Sequence, residues 1–387
     1  MHILIYERKE AYTQTDLIFA LKNAGIRIST FTYTFENKSH DDNFTLYFLK
    51  LLSENSYDAV FSINYYPLIA ECCYKKNMKY ISWSYDCPLN VRNIEETLSY
   101  PTNYVFLFDR IQALKYINKG FDHIYHLPLA VNTSRLDQMI PLSSHYHKYG
   151  SDISFVGSLY ESTYQRLIQP LPDYLKGYLD SMCDTQLLLY GCFFLDDTIT
   201  QGLINLINEF YDHANPQKNF HIIKEELSYS MATQVTNYER IRLLKLLSTI
   251  PDCTINLFSP HNLADTSLTF KGPIDYMSEM PYVFKTSKIN LNITLKCIQS
   301  GIPLRALDIM GCGGFLLSNY QAEMTEFFRP GIDFVSYGSM DEAKDLAKYY
   351  LSHEEERKTI AQNGYEIVKQ HFTYEKQLKQ IFDIVNI

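Results

Sequence analysis

The chain is 387 residues long, with a formal charge of −9, 46% hydrophobic residues and 20% charged residues. This length exceeds what one hydrophobic core ordinarily serves, so two domains are expected, and the composition is that of a folded protein rather than a disordered one. The acidic balance speaks against a binder of nucleic-acid backbones, although a local basic cluster on an acidic protein still attracts an anionic nucleotide.

No apolar run approaches the roughly 18 residues that a membrane span needs, so no span is expected, while peripheral association with a membrane stays compatible with the sequence. Residues 1–7 read as a first strand and lack the apolar stretch and cleavage site of a signal peptide. The 8 cysteines show no CxxC spacing and no paired histidines, which fits reduced, buried thiols in a cytoplasmic protein and no metal site. The 32 tyrosines are open to two readings, sugar stacking or a compositional habit.

In chain order, a strand at 1–7 precedes a helix at 15–24 that Gly25 ends. A strand at 27–33 and an amphipathic helix at 44–54 follow. Short runs rich in β-branched and aromatic residues at 57–63, 80–84, 104–108 and 123–126 are the next strands, separated by helical pieces such as 68–76 and 111–118. This alternation predicts a parallel sheet with helices on both faces. Residues 137–151 are polar, end in Gly150-Ser151, and are assigned as a linker. A second α/β unit opens at 152–158. Residues 167–247 read as largely helical, strands are expected at 254–258, 269–271, 289–293, 315–318 and 334–337, and helices at 340–351, 354–370 and 374–385 close the chain. The expected division is a first domain over 1–136, the linker 137–151, a second domain over 152–373, and a last helix, 374–387, able to return to the first domain.

The most informative run is Ser300-Gly301-Ile302-Pro303-Leu304-Arg305-Ala306-Leu307-Asp308, followed by Cys312-Gly313-Gly314 and an apolar strand. Pro303 suits the first helical position. Arg305 and Asp308, three apart, share one helix face. A helix N-terminus with an arginine beside it suits phosphate, and a carboxylate one turn on suits sugar hydroxyls. Phosphate next to ribose is what a nucleotide presents. Gly157-Ser158, after the first strand of the second unit and with Arg166 downstream, is either a phosphate-approaching turn or an ordinary strand exit. Gly272, in Phe270-Lys271-Gly272-Pro273-Ile274, either seats a nucleobase or makes a plain turn. Asn292, in the run Asn290-Leu291-Asn292, either binds a ligand or ties down a neighbouring loop.

In the first domain, strands run into Asn64-Tyr65-Tyr66-Pro67, Tyr85-Asp86-Cys87-Pro88 and Asp109-Arg110. Asp86 is the candidate catalytic or acceptor-binding carboxylate, against the alternative of a capping aspartate. The pairs Asp41-Asp42 and Asp196-Asp197 read as solvated loops. Neither a GxGxxG after the first strand nor a GxxxxGK[ST] is present, which weakens a dinucleotide dehydrogenase and excludes a P-loop nucleotidase.

Taken together, Phe61-Ser62-Ile63-Asn64-Tyr65-Tyr66-Pro67, Tyr80-Ile81-Ser82-Trp83-Ser84-Tyr85-Asp86-Cys87-Pro88, Ile153-Ser154-Phe155-Val156-Gly157-Ser158, Ile289-Asn290-Leu291-Asn292-Ile293, the 300–318 run, and His371-Phe372-Thr373-Tyr374 resemble the CgeB-like (spore maturation protein) glycosyltransferases of the GT-B fold. The resemblance implies two Rossmann-like doubly wound domains facing each other across a cleft. It implies transfer of a sugar from a nucleotide-diphosphate donor to an acceptor hydroxyl on a glycan, protein or lipid-linked molecule, without cofactor or metal. The donor would bind Gly157, Ser158, Arg166, Gly272, Asn292, Arg305 and Asp308. Asp308 matches the second glutamate of the E-x7-E motif of retaining families, whereas Ser300 stands where the first glutamate is expected. That departure leaves the donor sugar and the stereochemical course open. A non-catalytic nucleotide-sugar-binding or partner protein and a nucleotide-sugar epimerase are the alternatives.

Overall fold

Short apolar runs that can be covered on both faces become strands of parallel sheets. In the computed structural model, which describes residues 1–8, 13–37, 40–89, 91–92, 94–214, 220–264 and 266–387, such runs build two sheets. The first comprises β1 (His2–Tyr6), β2 (Arg27–Phe31), β3 (Ala59–Ile63), β4 (Lys79–Ser84), β5 (Asn103–Leu107) and β6 (Ile124–His126), in the order β2-β1-β3-β4-β5-β6. The second comprises β7 (Ile153–Val156), β8 (Ile255–Phe258), β9 (Thr269–Phe270), β10 (Ile289–Asn292), β11 (Leu316–Asn319) and β12 (Val335–Tyr337), in the order β12-β11-β10-β7-β8-β9. Neighbouring strands pair in parallel throughout, with Ile5 opposite Phe61 in one sheet and Leu291 opposite Phe155 in the other. The α/β class and the strand–helix alternation expected from the sequence are what the structure has.

The chain divides into two compact units, 1–134 with 368–387 and 135–367. In the first, helix Tyr374–Val385 lies among the same residues as the N-terminal sheet. Tyr374 donates from its hydroxyl to the Thr13 carbonyl (3.2 Å), and Lys79 Nζ donates to the Val385 carbonyl (2.8 Å). In the second, the sheet core gathers Ile153, Phe155, Leu257, Ile289, Leu291, Leu317 and Val335. The helices between β7 and β8 carry a cluster of their own, in which Tyr164, Leu179, Met231 and Val235 are buried.

The stretch assigned as a linker holds helix Ser143–Tyr149 and falls within the second unit. Its aromatic residues provide the apolar face that a count of polar residues conceals. The His145 ring stacks on Tyr282 at 3.8 Å, and Tyr149 is buried. Asp41, read as a solvated acid, is buried as the N-cap of helix Asp42–Glu54, accepting from the Phe44 N–H at 2.9 Å. Cys192 departs from the expectation of buried thiols and is exposed.

The buried asparagines of β10 show how the second sheet tolerates polar groups. Asn290 accepts from Ser154 Oγ (2.7 Å) and donates to the Phe284 carbonyl (3.1 Å). Gly314, just before β11, is where the chain passes closest to this bond. A Cβ there would stand 2.8 Å from both Asn290 Nδ2 and the Phe284 carbonyl oxygen. Gly314→Ala is therefore expected to lower unfolding free energy by about 1–3 kcal/mol, the ordinary cost of overpacking. A shift of the urea midpoint measures it.

Candidate active site

In a doubly wound sheet, ligands bind beyond the carboxyl ends of the strands, where the strand order reverses. In the second unit that reversal lies between β7 and β10. Gly157 and Ser158 leave β7 there, and Ile293 and Thr294 leave β10. Gly157 holds φ at +156°, with Arg240 Nη1 3.5 Å from where its Cβ would be. Arg240, on helix Lys224–Leu247, is buried and donates to the carbonyl oxygens of Ser158 and Ile293. Sequence reading missed this residue because it sits inside a helix, outside any recognisable motif.

Arg305 and Asp308 do share one face of helix Leu304–Gly311, in which Pro303 is the N-cap and not, as expected, the first helical residue. Arg305 Nη1 lies 3.4 Å from Asp308 Oδ2 and also donates to the Met280 sulfur, with its guanidinium over the Phe284 ring. Asp308 is buried, and Tyr276 donates its hydroxyl to Asp308 Oδ1 at 2.7 Å. Tyr276 is a second residue the sequence did not reveal, because the turn that aims it is built from side chains. Asp275 accepts from the N–H of Met277 (3.1 Å), the N–H of Ser278 (2.7 Å) and Ser278 Oγ (2.6 Å). Glu279 accepts from the Asp275 N–H (3.1 Å), Lys148 Nζ (2.9 Å) and the Tyr149 hydroxyl (2.7 Å). Arg135 closes the turn by donating to the Met277 carbonyl at 3.1 Å. The Lys148 and Tyr149 bonds, with that of the Asp275 N–H, hold the Glu279 carboxyl down at about 2.

The other candidate residues are spread more widely. Asn292 is buried, and its amide donates to Thr294 Oγ1 (3.1 Å) and Ser318 Oγ (2.9 Å), which ties β10 to β11. Arg166 sits on the exposed side of helix Tyr164–Ile168. Gly272 follows β9 with φ at +77°, the left-handed region glycine enters without strain. Ser300, at the position where a glutamate was expected, donates from Oγ to Glu323 Oε1 at 2.6 Å, and its carbonyl accepts from the Glu323 N–H at 3.0 Å. Among the described residues, no group of three or more His, Cys, Asp or Glu is placed to hold a metal ion.

In the first unit the strand order reverses between β1 and β3. Asn64 leaves β3 with φ at +64°, a left-handed conformation that asparagine tolerates better than most residues. Its Oδ1 accepts from the N–H groups of Tyr85 (2.7 Å) and Asp86 (3.0 Å), and its Nδ2 donates to Asp86 Oδ2 (2.7 Å). The exposed Asp86 carboxylate is thereby held at the strand exits. Burial raises the Tyr66 phenol, nearby Arg8 opposes that shift, and the Asp86 charge adds to it. Asp109, at the exit of β5, is buried and caps helix Arg110–Ile117 through the Gln112 N–H (2.9 Å).

Residues 240–383 match the family model described as glycosyl transferase-like. Among solved structures, Anabaena HepE in complex with UDP is 11% identical over 100% of both chains, with a TM-score of 0.57. Sucrose-phosphate synthase from Thermosynechococcus elongatus is 10% identical over 100% of this chain and 98% of that one, with a TM-score of 0.58. A UDP-forming trehalose-phosphate synthase from Burkholderia xenovorans is 11% identical over 100% and 98% of the two chains, with a TM-score of 0.55. No curated protein sequence matches the chain. The fold is that of the GT-B glycosyltransferases. Among the described residues, no helix is long and apolar enough to cross a membrane.

The turn that presents Tyr276 should respond to acid. Glu279 titrates near 2 in the folded chain against an ordinary 4.5. A depressed carboxylate stabilises fully above its unfolded value and loses that contribution as pH falls through its folded one. The stability advantage of the wild type over Glu279→Gln is expected to be full at pH 7 and to shrink as pH falls from 4.5 toward 2. Urea midpoints of the two proteins across that window measure it.

Proposed function

We propose that the protein is a glycosyltransferase that moves a sugar from a nucleoside-diphosphate donor to an acceptor hydroxyl. The observation that carries this reading is the Arg305–Asp308–Tyr276 cluster, with one cation and one buried carboxylate on the same helix face. Arg305, one residue into helix Leu304–Gly311, suits the diphosphate, and Asp308 suits two ribose hydroxyls. Anabaena HepE, of the same fold, has been seen with UDP and with UDP-glucose. The narrower reading places the chain among CgeB-like transferases. Its support is the 300–318 run and the motifs around Asn64, Asp86 and Gly157, together with the glycosyl transferase-like match over 240–383.

In the proposed reaction the bond between the sugar's anomeric carbon and the β-phosphate oxygen breaks, and its electron pair stays on the diphosphate. A new bond forms from the acceptor oxygen to that carbon, and the acceptor's proton passes to a base. Arg305 and the helix N-terminus meet the charge that develops on the leaving group, so the reading requires no metal. Asp86, held by Asn64, is assigned to the acceptor hydroxyl as proton acceptor. The acceptor is a glycan, a protein or a lipid-linked sugar, and the site works in the cytoplasm, where nucleotide sugars are the available donors.

Two substitutions test these roles. Asp308→Ala is expected to weaken binding of the nucleoside diphosphate by roughly 1.5–3 kcal/mol, as for a lost hydrogen bond to a charged group. Calorimetry with UDP, GDP, dTDP and CDP reads it, and an unchanged affinity removes Asp308 from the ribose. Asp86→Asn is expected to slow release of nucleoside diphosphate from the donor sugar by about 100-fold or more while leaving donor affinity in place. Equal turnover in the variant would take the proton-transfer role away from Asp86.

A further inference from the structure

Arg240 carries the inference furthest. Its residue is 9% exposed, and its guanidinium lies where the strand order of the second sheet reverses. Its guanidinium donates to backbone carbonyls on opposite sides of that reversal, Ser158 after β7 and Ile293 after β10. Its Nε is buried with no hydrogen-bond partner. Among the described residues it forms no ion pair, although the preceding residue, Glu239, is acidic and buried. The Glu239 carboxylate lies 3.0 Å from Lys296 Nζ as an ion pair. The faces of Tyr160 and Phe155 lie 4.6 and 5.3 Å from the guanidinium, and Tyr160 is held at φ +58°, a conformation that bulky residues rarely adopt. Burial and the nearby Arg305 both disfavour the charged form, while Tyr160 and Glu239 favour it.

A buried cation without a carboxylate partner is costly. Backbone strain of the Tyr160 kind tends to persist where a site needs it. A buried arginine without an ion pair among the described residues, bonded to the exits of two parallel strands and opposed in charge by Arg305, makes a place suited to an anion. We propose that Arg240 is the positioning residue for the donor's pyrophosphate. It braces the Gly157–Ser158 turn against the 293–294 exit so that their backbone approaches the phosphates at a fixed spacing, and it supplies a buried positive charge behind them. This inference rests on the proposed donor site and adds a residue to it.

The experiment compares wild type, Arg240→Gln and Arg240→Lys for binding of UDP, GDP, uridine, guanosine and inorganic pyrophosphate by calorimetry, alongside each variant's urea midpoint. In Arg240→Gln, affinity for the diphosphates and for pyrophosphate is expected to fall about tenfold or more, with nucleoside affinity little changed. Arg240→Lys keeps the charge but cannot fork between two carbonyls, so an intermediate loss confined to the phosphate-bearing ligands is expected. Should Arg240→Gln fail to fold, Arg240→Lys alone decides. A fall in stability with an unchanged ratio of diphosphate to nucleoside affinity would overturn the inference and leave the donor site standing. If no nucleotide binds the wild type while pyrophosphate does so through Arg240, the donor reading fails and the anion site survives. If neither nucleotides nor pyrophosphate bind the wild type, both fall.

Discussion

Each sheet of this chain is wound outward from an interior strand in one direction and then in the other, and in the second sheet the buried Arg240 sits where the direction changes. Right-handed crossovers force the connecting helices of the two halves onto opposite faces. Between the first strands of the two halves, the chain therefore leaves a gap that no connection covers. In the first sheet the gap is flanked by Arg8 and Asn64, and in the second by Ser158 and Ile293. The polar groups in these gaps have to be satisfied without regular secondary structure. In the second sheet the Arg240 guanidinium does it, and in the first the Asn64 amide turns the other way, to the N–H groups that leave β4.

The two solutions differ in charge, and the difference suits the proposed division of labour. Asn64 is neutral, and it leaves the carboxylate of Asp86 exposed at the strand exits. Such a group can take a proton from an uncharged hydroxyl. Arg240 is cationic and buried, with Arg305 close enough for their charges to oppose each other. An anion bound near both relieves that repulsion. Asp308 lies next to Arg305 yet stays buried, because Tyr276 and Arg305 both donate to it. That carboxylate offsets the charge of Arg305 and leaves Arg240, which forms no ion pair among the described residues, as the buried cation of the site. Glu239 pairs with Lys296 rather than with Arg240, although its charge still favours the charged form of Arg240.

Most of the architecture was legible because strands buried on both faces must be short and apolar, and the turns between them carry Gly, Pro and Asn. The β10 and β11 runs, with Gly313-Gly314 between helix and strand, are plain in the amino-acid order. Helix Leu304–Gly311 was legible with its shared Arg305–Asp308 face, since spacing by three is a local property. What escaped depends on distant residues. Arg240 reaches carbonyls 82 and 53 positions away in the chain. Tyr276 meets Asp308 only because Asp275, Glu279 and Arg135 fold the intervening turn. Helix Ser143–Tyr149 was hidden by histidine and tyrosine, which count as polar in a linear reading and as packing surface in the folded chain.

Ser300 shows how far local pattern carries function. The expected glutamate is absent from the position, yet a buried carboxylate, Glu323, stands against it from the segment after β11 and bonds it through both side chain and backbone. Because that carboxylate accepts from the Ser300 hydroxyl and is itself covered, its first effect is on the shape of the loop that leads into Pro303. In this chain a serine with a distant acid behind it ties the loop before Pro303 to the segment after β11.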